Sequence, residues 1–534
     1  MSMIKSLILG SAAGLVALSG AQAADLPVKA KAVEYVRICS LYGAGFWYIP
    51  GTDTCIKLGG YVRVDTTFNA SGTQGAPEWS GDTGQGNRYS NNFVGRSRLA
   101  LTVDTRTATE YGVVRTFGQG DFTFDTFGGG STNPSSLTTF NAGQLHSAGG
   151  GYVAVEFVFI QFAGFTFGKS ASAYATPWNG YPGNNNSFLL GGPDYVTGVN
   201  NIQYTAQFGN GVSATIGLDD PTVFGRTSVL NLGVGASAPP LPANVSPTAF
   251  GANAYGGTHV PDIVGNVRVD QAWGLFQISG ALHNVTASYN NLSAAGVPNN
   301  FSEISGHPED KWGGAVTAAL QIKNIPTGAG DDLKIDATYS KGNTKAVIST
   351  SGGSPNFAMF GNTGIAGGYQ SVGFGATSDG VYLPGAGGTG GIILTSAWGI
   401  RGAFNHNWDP YWSTSLWGSY AQVKYDGNAN DNLTAVGTTS AKGAYCAGFA
   451  ATHGGQAQGT YSCNPDFNVA QIGLTTRWTP VKNLTFSAEV GAFFLDQKMS
   501  GIATITPSAP KPTAVYEFKD QSTVFLNVRA QRNF

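Results

Sequence analysis

Charged side chains are scarce in this sequence. Of its 534 residues only 11% are Asp, Glu, Lys or Arg, whereas a typical soluble domain carries about 25%. So little charge cannot coat the several soluble domains that the length alone would suggest. The 29 basic and 31 acidic residues leave a formal net charge of −2, which gives no basis for a nucleic-acid partner.

Long apolar runs are missing except at the N-terminus. Elsewhere no stretch approaches the roughly 20 apolar residues of a membrane-spanning helix, so helical spans are not expected. Near the start, Lys5 precedes the apolar run LILGSAAGLVAL and the triplet AQA at 21–23. This order is typical of a secretory signal peptide. We therefore expect residues 1–23 to be removed on export.

Cysteine is also rare, with four residues in two pairs that are close in sequence. An even number of cysteines in an exported protein favours disulfides, and proximity predicts Cys39 with Cys55 and Cys446 with Cys463. Each bond would close a short loop and stabilise the fold by about 3 kcal/mol in the chain-entropy estimate. Four free buried thiols are the alternative. No cluster of Cys and His has the spacing of a metal site, and no metal or cofactor is expected.

Alternation of apolar and polar residues is abundant instead. It predicts about sixteen strands, the first at 56–69 and the last at 523–534, which lies within the terminal stretch STVFLNVRAQRNF. Long connections, such as those near 220–262, 342–394 and 427–466, alternate with short ones such as Asn210–Gly211, a typical hairpin turn. In an antiparallel meander this alternation places all long loops at one end and all short turns at the other.

The charges within the predicted strands share one face. In FVGRSRLALTVDTR (93–106), Arg96 and Asp104 fall on the face opposite Leu99 and Val103. A soluble sandwich would give the same pattern with the polar face outside. The low total charge and the aromatic residues near strand ends, such as Trp478 and Phe534, favour a transmembrane antiparallel β-barrel with a wet interior. We expect an all-β barrel over 56–534 and a periplasmic N-terminal segment over 24–55.

Two segments carry a resemblance to a known family. VEYVRICSLYGAGFWYIPGTDTCIKLGGYVRVD, which follows ADLPVKA, and the terminal VRAQRNF are similar to the alphaproteobacterial general porins. The resemblance covers the two ends of the chain. It implies a sixteen-stranded, homotrimeric outer-membrane porin of a Gram-negative bacterium, whose third external loop folds into the lumen. It also implies that Phe534 is an assembly signal read by the barrel-assembly machinery.

Two other motifs compete with this interpretation. AGFTFGKS at 163–170 matches the letters of a phosphate-binding loop, but YATPWNGYPG follows it in place of the required helix. His406 in FNHNWD would fit an outer-membrane lipase or protease site, yet a lone histidine at a loop edge is more often a solvated surface group. We therefore expect no enzyme activity.

The predicted function is passive diffusion of small hydrophilic solutes and ions through a water-filled channel set in outer-membrane lipid. A solute-selective channel and a surface adhesin built on a barrel are the alternatives. Arginines of the first three strands are expected to form a basic wall facing Asp194 of the third external loop, unless each is paired with a loop carboxylate. The predicted pore-lining residues are Lys57, Arg63, Asp65, Arg96, Arg98, Asp104, Arg106 and Arg115.

Overall fold

The wall of the structured domain is a single closed sheet of sixteen antiparallel strands. The computed structural model describes residues 37–70, 77, 79, 92–126, 150–222, 225–233, 252–293, 296–384, 390–428, 440–452, 461–505, 507 and 511–534; the predicted signal peptide lies outside them. The wall strands are β1 Cys55–Phe68, β2 Phe93–Thr109, β3 Gly112–Asp125, β4 Tyr152–Phe162, β5 Phe165–Ser170, β6 Val199–Gly209, β7 Val212–Asp219, β8 Asp262–Asp270, β9 Gly274–Val285, β10 Lys311–Lys323, β11 Asp332–Lys341, β12 Ser396–Asn407, β13 Trp412–Lys424, β14 Phe467–Val481, β15 Leu484–Gln497 and β16 Gln521–Asn533. Each strand pairs with the next, and β16 pairs with β1, so the predicted barrel is confirmed.

The polarity of the wall is inverted relative to a soluble protein. Along β11 the polar residues Asp336 and Thr338 are buried, whereas Tyr339 between Thr338 and Ser340 is 56% exposed. The same parity exposes Leu99, Leu101 and Val103 on β2. A sandwich in water would bury these apolar side chains, so the pattern places the apolar face toward lipid and the polar face toward the interior.

No helix in the described part of the chain is long and apolar enough to cross a membrane.

The connections follow the predicted alternation. Seven short turns join the strands at one end, and Asn210 and Gly211 both adopt positive φ, as the predicted hairpin turn requires. Eight long connections lie at the other end, and we number them as loops 1 to 8 in chain order. Loop 3 spans 171–198, loop 6 spans 342–395, loop 7 spans 425–466 and loop 8 spans 498–520.

The long loops contain structure that strand counting did not predict. One small sheet comprises Phe357–Gly361, Gln370–Gly375, Ala514–Phe518, Ser500–Ile505 and Tyr461–Ser462; another comprises Ala252–Asn253, Ser228–Asn231, Ser378–Tyr382 and Ile393–Leu394. Short helices lie at Ser302–Ser305 and Ala441–Thr452, with a 3₁₀ turn at Thr344–Ala346. Phe357 of loop 6 packs on Phe467 and Phe493 of the wall. Loops 6, 7 and 8 therefore form a packed cap rather than open tails.

The N-terminal unit, described over residues 37–56, is held by its own crosslink. A disulfide joins Cys39 to Cys55 across a separation of 16 residues. The strand Trp47–Tyr48 pairs with Cys55 and Ile56, and a 3₁₀ turn forms at Ser40–Tyr42. The side chains of both cysteines are buried beside Phe46. Its periplasmic location remains a prediction.

The second disulfide joins Cys446 of the loop 7 helix to Cys463, 17 residues further on. Both pairs are therefore the ones expected from proximity. We predict that replacing Cys446 and Cys463 together by Ser loosens the cap and leaves the wall intact, because the lost loop closure is worth about 3 kcal/mol and lies outside the wall ladder. Limited proteolysis should cleave loop 7 of the variant faster.

Mobility of the unheated protein on gels should stay unchanged in that variant. Mild reduction of the parent is the control and should reproduce the faster cleavage, with no further effect on the variant. Loss of the folded barrel band in the variant would show that the bond supports the wall itself.

The closure of the barrel generates a second prediction. Phe534 donates its N–H to Gly60 O at 3.1 Å and accepts from Gly60 N–H at 3.3 Å. Gly60 has φ +150°, and a Cβ there would lie 2.0 Å from the Ala100 carbonyl oxygen, so the closure needs a glycine. Deleting Phe534 removes both backbone bonds from the seam between β16 and β1, where the wall depends on a continuous ladder of hydrogen bonds. The fraction that migrates as folded barrel in unheated outer-membrane extracts should fall.

The matched control deletes residues 364–367, an exposed turn of loop 6. Such a turn is outside the wall, so its removal should leave assembly intact. A longer deletion of loop 6 is not suitable as the control, because residues 344–350 of this loop are buried. Equal assembly of the Phe534 deletion and the parent would contradict the role of this residue.

Candidate functional site

Loop 3 lies inside the barrel. Near its start, Ala173 O accepts from Asn266 Nδ2 at 2.6 Å, and Ala175 O accepts from Gln277 Nε2 at 2.7 Å. The buried Tyr174 hydroxyl is 2.6 Å from Thr317 Oγ1. These partners lie on the inner faces of β8, β9 and β10, so the loop enters the lumen along that side of the wall.

A buried ion pair holds the middle of loop 3. Arg401 of β12 donates to the carboxylate of Asp336 of β11 at 2.9 Å, and both side chains are fully buried. The same guanidinium donates to the carbonyls of Leu189, Gly192 and Pro193. A Cβ at Gly192 would lie 2.4 Å from Asp336 Oδ1, so only glycine allows this approach.

The pair also orders the first half of the loop. The indole N–H of Trp178 donates to Asp336 Oδ2 at 2.6 Å. Because a buried charge is costly unless it is fully hydrogen-bonded, the loop carbonyls and this indole satisfy both ions. Loop 3 and the ion pair therefore stabilise each other.

The loop crosses to the last strands of the wall. Glu489 of β15 accepts hydrogen bonds from the Asn185 N–H and from the Asn186 side chain. Arg477 of β14 donates to Gly183 O at 2.6 Å, and Arg529 of β16 donates to Asn185 O at 2.8 Å. Strands β8 to β16 thus carry the loop, and the free space lies against β1 to β4 and Arg529 of β16.

That space is a cavity of about 400 Å³ between loop 3 and the wall. Its lining is hydrophilic on both sides. The wall contributes Tyr61, Arg63, Arg96, Arg98, Gln119, Asp121, Glu156, Phe157 and Arg529; the loops contribute Tyr181, Asn184, Asn185, Asn186, Ser187, Val196, Thr197 and Ser351. We call this cavity the constriction.

The arginines of the constriction are paired along the wall. Arg96 donates to Asp65 at 2.9 Å, and Arg98 lies 2.7 Å from Asp121 and 3.7 Å from Glu156. These carboxylates belong to the wall strands β1, β3 and β4, so for Arg96 and Arg98 the expected alternative of pairing with a loop carboxylate is wrong. The Arg96–Asp65 pair ties β2 to β1, and the Arg98–Asp121 pair ties β2 to β3.

Arg63 is bound differently. Its Nε donates to the Gln531 side-chain oxygen at 2.8 Å, and its guanidinium lies 4.5 Å from the Tyr61 ring centroid. Arg529 is 3.7 Å from Asp65. Four guanidinium groups thus stand beside three carboxylates, those of Asp65, Asp121 and Glu156, on one wall.

The remaining predicted wall residues form a separate group. Asp104 accepts from Arg106 and from Arg115 at 3.0 Å each. Arg115 also stacks over Phe117, at 5.2 Å from the ring centroid. Lys57 is exposed near the start of β1. None of these four charged residues lines the constriction.

Asp194 does not face the arginines as expected. It is 1% exposed, its carboxylate accepts the Val196 N–H, and its own N–H donates to Ser349 Oγ of loop 6 at 3.1 Å. Burial raises the pKa of Asp194 to about 6. The carboxylate satisfies the loop backbone, and the side of loop 3 that lines the constriction presents amides, hydroxyls and a tyrosine.

Sequence reasoning missed the residues that hold loop 3. Arg401, Arg477 and Glu489 lie on the polar faces of β12, β14 and β15, and strand parity would have placed them inside. Their partners are backbone carbonyls and amides of the loop, which carry no residue-specific signal. No group of three or more metal-ligating side chains occurs among the residues that the structure describes.

Comparison with known sequences agrees with this architecture. The family model described as Porin subfamily matches residues 25–527. Porin Omp2b of Brucella suis biovar 1 (strain 1330) is 34% identical over 276 residues, 51% of this chain and 63% of the relative. A second porin Omp2b, from Brucella suis, is 36% identical over 276 residues, 51% of this chain and 64% of the relative. The match thus spans less than two thirds of these relatives.

Comparison with solved structures supports the fold. The outer membrane channel DcaP of Acinetobacter baumannii superposes with a TM-score of 0.52 at 12% identity, over 91% of this chain and 99% of that one. An identity this low speaks to the architecture alone. The family match extends over nearly the whole chain and the wall is a closed barrel of sixteen strands. The chain therefore belongs to the porin subfamily of outer-membrane proteins.

Proposed function

We propose that this protein is a channel for passive diffusion of small hydrophilic solutes and ions across the outer membrane. The observation that carries the proposal is the constriction, a hydrophilic cavity inside a wall whose outer face is apolar. Solutes that fit its cross-section pass without any covalent step, so the size of the opening and the charges on its wall set the selectivity. The subfamily match and the name of the Brucella relatives support the same interpretation.

The charge pattern favours modest selectivity. On the wall side, carboxylates of Asp121 and Glu156 interleave with the arginines, which outnumber them; on the loop side, the described lining residues include no charged side chain. Arginine stays ionised at all working pH values and its planar group stacks along a surface. The wall should therefore attract small anions weakly at low salt and leave neutral solutes to be sorted by size.

The protein is further proposed to work as a homotrimer in outer-membrane lipid, with Phe534 as a signal for the barrel-assembly machinery. Membership of the porin subfamily supports the trimer. The exposed Phe534 ring, next to the β16–β1 closure, supports the second part. An exposed aromatic ring at this point is available for recognition before the barrel closes.

The direct test is conductance of the purified protein in planar bilayers. An open channel gives stepwise currents that are linear in voltage over the low range, whereas an adhesin on a sealed barrel gives none. Liposome swelling with sugars of increasing size then separates general diffusion from solute selectivity. A smooth decline with size is expected, and uptake of one sugar class regardless of size would favour the selective channel.

The arginines of the constriction provide a charge test. We predict that Arg96→Ala with Arg98→Ala lowers the anion-to-cation permeability ratio about twofold at 0.1 M salt, because each removed charge within about 8 Å of a passing ion contributes a few tenths of a kcal/mol after screening. Reversal potential in a salt gradient measures the ratio. The difference from the parent should shrink as salt rises.

The matched control is Arg106→Ala with Arg115→Ala. It removes the same amount of charge from the neighbouring strands β2 and β3, outside the constriction. Its effect on the ratio should be smaller. If both double variants shift the reversal potential equally, or neither does, the arginines of the constriction do not control passage.

A further inference from the structure

A segment of loop 6 extends to the constriction. This segment, residues 343–354, is named the inner arm. Its residues 344–350 are all buried, with Lys345 only 2% exposed. An external loop that only covers the mouth would expose such residues, as loop 6 does at residues 364–367. The inner arm is therefore packed within the mouth of the barrel.

The inner arm is hydrogen-bonded to loop 3 at three places. Val347 O accepts from the Gly191 N–H at 2.9 Å, and Ser349 Oγ accepts from the Asp194 N–H at 3.1 Å. Ser351 Oγ donates to Ser187 Oγ at 3.0 Å. The contacts extend over residues 187–194, which are the part of loop 3 that follows the asparagines of the constriction.

The inner arm is itself rigid. The Lys345 ammonium donates to Ser349 Oγ at 2.8 Å and to Thr350 O at 3.1 Å, folding the arm around its own lysine. At its start, the Thr344 N–H donates to Asp379 Oδ1 at 2.7 Å. The other oxygen of Asp379 accepts from the Tyr255 hydroxyl and the Thr227 N–H of loop 4. These hydrogen bonds fix the root of the arm.

The tip of the arm reaches the constriction itself. Ser351 lines the cavity together with Ser187, its hydrogen-bond partner, and opposite the wall arginines. We propose that the inner arm of loop 6 is a second constriction element: it holds loop 3 at its distance from the arginine wall, and Ser351 is a specificity-determining position of the pore. This inference rests on the proposed channel function.

Thiol modification of a single position tests the inference. All four natural cysteines are in disulfides, so Ser351→Cys introduces one reactive thiol. A cationic methanethiosulfonate reagent, added to the conducting variant, should lower single-channel conductance at least twofold because a bulky charged group then occupies a cavity of about 400 Å³. Ala366→Cys, an exposed site in the same loop, is the control and should conduct as before.

Mass spectrometry confirms that each thiol is modified. Unchanged conductance of modified Ser351→Cys, or a thiol at this position that the reagent cannot reach, overturns the inference while the parent still conducts. A parent that does not conduct overturns the proposed function instead, so the two failures are distinguishable.

A second variant tests the contact without any current. Ser187→Cys with Ser351→Cys places two thiols where hydroxyls are now 3.0 Å apart, so the two sulfur atoms would lie close enough to react with each other. Non-reducing peptide mapping should find the two introduced cysteines linked to each other in the outer-membrane protein. Recovery of both as free thiols under mild oxidation would show that the inner arm does not meet loop 3.

Discussion

The structure depends on one constraint: a sheet that meets lipid on its outer face has no water there to satisfy backbone N–H and C=O groups. Closure of β16 on β1 leaves such a sheet without an open edge. Tyr61 pairs with Asn533 and Phe68 with Leu526, so the last strand runs along much of the first. The exposed apolar side chains and the glycine at position 60 follow from this requirement.

Closure of the sheet encloses a lumen, and the chain fills only part of that lumen. A barrel of sixteen strands without an inserted loop would have a wide lumen. Loop 3 narrows this lumen by packing against one side of the wall. The buried pair of Arg401 and Asp336 makes this possible because its remaining donors and acceptors are met by loop carbonyls and an indole. Removing either side chain would leave the other as an unpaired charge in a buried site, and this loss is strongly destabilising. The position of the opening is thus set by an ion pair whose residues do not line the constriction.

The sequence predicted the wall well because strand parity and turn chemistry are local signals. Arg96, Arg98 and Arg63 could be placed inside by counting alternate positions, and the structure brings them to one cavity. The orientation of Asp194 could not be predicted in this way, because the composition of a loop does not say which way a side chain turns. Its carboxylate is hydrogen-bonded to the loop backbone. The loop 6 strands Phe357–Gly361 and Gln370–Gly375 were missed because segments of five or six residues are too short to show a clear period, and the second of them pairs with loop 8.

Loop 3 packs against only one side of the barrel wall. Strands β8 to β16 are backed by loop 3, which the buried pair of Arg401 and Asp336 holds in place, whereas β1 to β4 and Arg529 of β16 line the open space of the constriction. On this side the strands are connected by the hydrogen bonds of the sheet and by the cross-strand pairs of Arg96 with Asp65 and Arg98 with Asp121. The side chains that line the constriction therefore also connect neighbouring strands, so replacing Arg96 or Arg98 changes the charge of the opening and at the same time removes a contact between strands of the wall.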